Sequence, residues 1–232
     1  MRCIYCPADA AGAKREAHVI PQGLGETDMV LPAGVECDGC NEHAGSLEQT
    51  LLHHNHVWPI LMLLGVPGKR DRPRDRLGFM ERTRDGNVII RAPADRSKTK
   101  ITPGKVDIEG DSPSEFNDGK FVRALHHVAF NYLVRERGHE HALRAEYDEV
   151  RRYVRMARLG EQWPFAQVIV QRELKQSSLA EGKRLNVRFV PDAPGLVVCF
   201  ECYVDDFYVD LLNSGHLHEW AARSLPSDVG LL

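Results

Sequence analysis

Residues 3–6 read CIYC, residues 17–26 read AHVIPQGLGE and residues 37–41 read CDGCN. These three pieces decide how the first quarter of the chain folds. Cys3/Cys6 and Cys37/Cys40 form two C-x-x-C turns, and each such turn can present two thiolates to one ion. Zinc prefers four ligands of this kind in a tetrahedron. Thirty residues, 7 to 36, separate the pairs, more than the usual spacing of a zinc ribbon. The metal must therefore close a loop that has structure of its own. The competing reading, four reduced cysteines that bind nothing, leaves two knuckles in a loop-rich segment unexplained.

Within that loop, Val19-Ile20 is a brief extended segment that stops at Pro21, and Gly23 and Gly25 mark a turn. Leu31 to Glu36 reads as a second short strand. From Asn41 the pattern becomes helical: Leu47, Leu51 and Leu52 fall on one side, and Pro59 ends or kinks the run. The order is strand, loop, strand, helix. Closing the loop with zinc would bring His18, near a strand, to the first turn of the helix that begins at Asn41. The bland alternatives are a packing histidine and an asparagine N-cap.

The remainder predicts an α+β fold, with the chain divided into a module over 1–66 and a second domain over 67–232. KRDRPRDR, residues 69–76, is a charged connector. Its Lys69 and Arg70 are candidates for contact with a nucleic-acid backbone, although the intervening Asp residues make a solvated linker the competing reading. Asp85-Gly86 predicts a hairpin between 77–82 and 87–91. Residues 93–119 read mainly as loop, with a short strand at 105–109. Phe121, Leu125, Val128, Ala129, Tyr132 and Leu133 recur at helical spacing over 120–136, Gly138 stops that helix, and another runs from about 141 to 157. Its many arginines are expected to face water. Strands follow at 167–171, 185–190, 196–203 and 207–212, with Asp205-Asp206 turning the last two into a hairpin.

The chain has 232 residues, 43% hydrophobic and 27% charged, with a net charge of -3. These are ordinary values for a globular protein, and they give no global basic signature for nucleic acid, so any such contact needs a local patch. Val57 to Val66 is about half a membrane span and contains a proline. Met1-Arg2-Cys3 is not followed by an apolar signal region. These features give the expectation of a cytoplasmic protein without a membrane partner. Six cysteines in three C-x-x-C pairs, in such a chain, suggest metal binding before disulfides. The third pair, Cys199/Cys202, lies in a strand-like stretch where residues three apart face opposite sides, so it reads as packing. His53, His54 and His56 cluster at a helix end, where histidines are favourable without binding anything.

Taken in order, CIYC, AHVIPQGLGE and CDGCN resemble the four-cysteine form of the HNH endonuclease family, over about residues 1–56. The resemblance implies a ββα-metal fold and metal-dependent hydrolysis of phosphodiester bonds in nucleic acid, DNA before RNA. It implies His18 as general base, Cys3, Cys6, Cys37 and Cys40 on a structural zinc, and Asn41 as ligand to a catalytic Mg²⁺ or Mn²⁺. His43, within the same helical turn as Asn41, is a further candidate ligand. The chemistry agrees: histidine takes a proton near neutrality, and oxygen ligands suit Mg²⁺ or Mn²⁺ while thiolates select zinc. Two features depart from the family. Ala17 stands where an Asp or Glu is common, and Glu16, one residue earlier, would point to the opposite face of a strand. The family's middle Asn has no match in 28–36. The alternative function is therefore a non-catalytic zinc-dependent module that binds nucleic acid or protein. The C-terminal part would select substrate, form a homodimer or sense a signal.

Overall fold

A computed structural model describes residues 1–25, 28–54, 57–64, 66, 76–77, 80–82, 88–90, 99–102, 105–108, 118–169, 185–203, 205–225 and 229–231. His56, Lys69, Arg70 and the Asp85-Gly86 turn lie outside the described residues. In chain order the elements are α1 (Asp38–Leu52), α2 (Trp58–Leu64), β1 (Arg76–Leu77), β2 (Met80–Arg82), β3 (Val88–Ile90), β4 (Thr99–Thr102), β5 (Lys105–Ile108) and α3 (Asp118–Arg137). Then come α4 (His139–Ala142), α5 (Asp148–Met156), β6 (Phe165–Ile169), β7 (Leu185–Phe189), β8 (Val197–Cys202), β9 (Asp205–Asp210), α6 (Leu217–Ser224) and β10 (Val229–Leu231). The mixture is α+β.

Helix α3 organises the rest. Its apolar residues do not form one stripe; Phe121, Leu125, Val128, Phe130 and Leu133 are all buried, so the helix is covered on several sides. It packs against α1, α4 and α5, and against strands β7, β8 and β9. The sheet runs β10-β6-β9-β8-β7, and every neighbouring pair is antiparallel. Val198, Phe200, Cys202, Phe207 and Val209 belong to the same core as α3, with the Phe121 ring edge-on to Phe207 at 5.4 Å. Residues one position along point the other way. Cys199, Val197, Tyr208 and Ala166 therefore form a second cluster with Leu217 and Ala221 of α6. Cys199 and Cys202 thus sit in opposite layers.

β2 and β3 pair antiparallel from Met80↔Ile90 to Arg82↔Val88, with β1 beside β2. β4 and β5 pair as a further two-stranded ribbon within the segment expected to be mainly loop.

Several expectations need correction. The stretch 31–36 is not a strand: Pro32 supplies no N–H, Gly34 takes a left-handed φ of +80°, and Val35 donates back to Pro32 at 3.3 Å. Only His18↔Val30 bridges there. The helix expected over 141–157 is split into α4, a 3₁₀ turn at Ala145–Tyr147 and α5, because Arg144 is extended. The Arg151 guanidinium, expected in water, is buried and donates to the Ala142 carbonyl at 2.7 Å, satisfying a group at the end of α4. Asp205-Asp206 is not a turn but the start of β9; the backbone reverses at Tyr203, whose φ is +59°. Asp205 is held in the sheet by Gln167 Nε2 at 2.7 Å.

The buried core runs from Cys3 to Leu211 as one cluster, so the cysteine-rich segment and the sheet share it. Among the described residues no helix is long and apolar enough to cross a membrane.

Candidate functional site

The two C-x-x-C turns meet. The Sγ atoms of Cys3, Cys6, Cys37 and Cys40 all lie within 4.8 Å of one another, and Cys6 to Cys37 is 3.7 Å. Tetrahedral thiolates about 2.3 Å from zinc stand roughly 3.8 Å apart, whereas a disulfide requires about 2.05 Å. The cluster has the spacing of a metal site, and all four cysteines are free thiols. Cys37 precedes α1 as its N-cap and Cys40 lies in its first turn, so the helix start fixes one half of the cluster. The backbone N–H groups of Tyr5 and Cys37 both point at Cys3 Sγ, at 3.4 Å each. The neighbouring Cys40 thiol, with these amides, pulls the Cys3 thiol down to about 4. Cys40 moves up for the same reason, its proton shared toward Cys3, and burial pushes Cys37 up. Four thiols this close hold four negative charges only with a cation among them.

His18 forms a single isolated antiparallel bridge with Val30 and not a regular strand. Val19 donates to Met29 O and Leu31 to Ala17 O, each at 2.7 Å. That pattern flanks the His18↔Val30 bridge, so His18's own N–H and C=O point away from Val30, toward the open edge of the pair. Asn131 Nδ2 of α3 donates to the His18 carbonyl at 2.9 Å. The His18 ring is half-buried; its Nδ1 is enclosed without a hydrogen-bond partner among the described residues.

Asn41 lies in the first turn of α1. Its Nδ2 donates to the Glu16 carbonyl at 3.0 Å, two residues before His18 on the same chain edge. Asn41 is thus inside the helix and not its N-cap. Ala17 is buried between exposed Glu16 and half-buried His18. Strand alternation then puts Glu16 on the face that carries His18, while position 17 points into the core.

His43 is directed elsewhere. Its Nε2 lies 3.2 Å from Arg123 of α3, which also donates to the Tyr153 and Val154 carbonyls. Burial, then the Arg123 charge, pull the His43 imidazole down. His53 stacks on Trp58 at 4.6 Å and contacts Gln49 O at 2.8 Å, while His54 is buried against Phe121. Both have packing roles.

Three further groups, Tyr5, Tyr203 and Glu36, carry no local sequence signal, and the turn glycine Gly25 has a neighbour that its motif does not announce. Tyr5, between the first two cysteines, donates its hydroxyl to Asn131 Oδ1 at 2.7 Å. Tyr203, in the turn between β8 and β9, donates to the Leu24 carbonyl, pinning the loop after His18. Gly25 ends that loop with φ +100° and faces the Val66 side chain, so glycine is required there. Glu36 is buried with neither carboxylate oxygen partnered among the described residues, and burial pushes it up to about 8. It lines a cavity of about 10 Å³ beside Cys40.

Comparison of the chain with protein-family models, with curated proteins and with solved structures gives no match.

Proposed function

We propose that the chain is a metal-dependent nuclease of HNH type, cutting phosphodiester bonds in nucleic acid, DNA before RNA. The observation that carries this reading is the junction at Glu16: Asn41 of α1 holds the Glu16 carbonyl at 3.0 Å, two residues from His18. The four-thiolate cluster stands at the start of the same helix. The His18↔Val30 bridge lies next to the start of α1, which is the order of parts a ββα-metal unit built around zinc would need.

In this reading His18 takes the proton from the attacking water, the step a neutral imidazole performs near pH 7. Asn41 turns its amide nitrogen to the strand, which leaves its Oδ1 for a hard cation. Glu16 supplies a carboxylate on the same face as His18, in place of the acidic residue missing at position 17. Asn41 Oδ1 and the Glu16 carboxylate would hold a Mg²⁺ or Mn²⁺, which would supply charge neutralisation at the phosphate and the leaving oxygen when bound. The cysteines hold the helix start against the strand and take no part in the reaction. The test is nicking of plasmid DNA and of RNA with Mn²⁺ or Mg²⁺, by the wild type and by His18→Ala. Cleavage lost in the variant supports the reading; equal cleavage removes His18 from the mechanism.

One observation favours a second reading, a zinc-dependent binding module without catalysis: position 17 is an alanine facing the core. Nucleic-acid binding by a wild type that cuts neither DNA nor RNA in either metal would decide for it.

A further inference from the structure

Among the described residues, the extended segment that carries His18 is bridged by backbone on one edge only. Along an extended chain, carbonyls two residues apart point the same way, so the Glu16 and His18 carbonyls both lie on the edge away from Met29–Leu31. Open edges of this kind leave backbone acceptors unmet unless something covers them. Here two side-chain amides cover them. Asn41 of α1 takes Glu16 O at 3.0 Å, and Asn131 of α3 takes His18 O at 2.9 Å.

Asn131 is fully buried and its amide orientation is determined by its partners. A carbonyl oxygen can only accept, so the atom facing His18 O is Nδ2. Oδ1 then receives the Tyr5 hydroxyl at 2.7 Å. The second Nδ2 hydrogen faces His127 Nε2 at 3.3 Å, one turn earlier on α3. His127 stacks on Tyr5 with centroids 5.6 Å apart. One amide therefore joins the first cysteine knuckle, the central helix and the backbone of His18.

We propose that Asn131 is a positioning residue for His18, a clamp contributed by α3 that sets the height and rotation of the His18 backbone over the site. The clamp rests on the nuclease reading only for its effect on rate; its effect on the His18 ring is independent of any activity. Asn131→Asp is nearly isosteric. It keeps an acceptor for Tyr5 and places a second acceptor against the His18 carbonyl.

Two measurements on the full-length, zinc-loaded protein test it. The first is the His18 imidazole signal in ¹H–¹⁵N NMR, assigned by its loss in His18→Gln. The second is cleavage kinetics with Mn²⁺. Asn131→Asp is expected to shift the His18 signal and to lower kcat roughly 10- to 100-fold. KM should stay within about twofold and zinc content unchanged, a split that general loss of folded protein would not give. Tyr5→Phe, which frees only the amide oxygen, is the milder variant and decides the matter if Asn131→Asp does not fold; it should move the same signal. A His18 signal unmoved in the folded variants overturns the clamp. A wild type that cuts nothing overturns the nuclease reading alone, since the NMR result still tests the clamp.

Discussion

Ala17 and Glu16 show how much turns on one residue's direction. A strand permits only two, and Ala17 takes the inward one. Placing an acid at position 17 would bury a carboxylate in an apolar core. Ala17→Asp is therefore expected to destabilise the protein by about 3 kcal/mol without raising activity. Urea unfolding and the nicking assay check both halves; a stable, more active variant would refute this placement. Glu16→Gln, by contrast, should leave stability within about 0.5 kcal/mol and raise the Mn²⁺ concentration needed for half-maximal cleavage. An unchanged metal requirement would remove Glu16 from the ion site. The meeting of the four cysteines is readable from the sequence because each lies in a C-x-x-C turn, whereas His18 and Asn41 are singled out by resemblance. Asn131 and Tyr203 are readable by neither route, since they reach their partners across 113 and 179 residues, and no local period encodes such a pairing.

At the scale of elements, α3 carries two adjacent buried histidines. Burial pulls both His126 and His127 down to about 4, so each is neutral in the folded chain at pH 7. His126 contacts the Val122 carbonyl through Nδ1, which must then carry the proton, and meets the Tyr153 and Trp163 rings edge to face. Once unfolded, each histidine titrates near 6.5. Between pH 6.5 and 4 the unfolded chain binds more protons, so stability rises with pH across that window and is lost as pH falls. Each histidine contributes a slope of at most about 1.4 kcal/mol per pH unit. His126→Phe should flatten the acid limb relative to wild type; parallel limbs would contradict this origin. The amphipathic period revealed α3 and the β-rich end of the chain. It did not reveal the break between α4 and α5, because the Arg151 side chain that satisfies Ala142 reads in sequence as one more surface charge. Leu51 of α1 is fully buried, and Leu51→Ala is expected to cost about 3 kcal/mol.

Across the whole molecule, the cysteine cluster, α1, α3 and the sheet share one apolar core. Metal binding at the four thiolates is then coupled to the stability of the whole and not of the first sixty residues alone. The wild type is expected to bind about one zinc and Cys40→Ser none, read by metal analysis. The substitution should also lower the midpoint of a single unfolding transition seen equally by probes near Trp58 and Trp163. A variant that loses zinc yet leaves the Trp163 transition untouched would show two independent units. The α+β composition was legible because helical and strand periods occupy separate stretches of the chain. The packing of the sheet's inner face on α3, whose Asn131 reaches the His18 carbonyl, depends on contacts that no single stretch contains.

The central claim is that His18 and a divalent ion cut nucleic acid on this scaffold. It is tested most directly by single-turnover cleavage of a linear DNA duplex by the zinc-loaded protein, with Mn²⁺ added or withheld, for wild type and His18→Ala. The account predicts cleavage by the wild type only with Mn²⁺, and a rate at least about 100-fold lower for His18→Ala at unchanged zinc content and DNA affinity. Equal rates for the two proteins, or cleavage that ignores Mn²⁺, would contradict it.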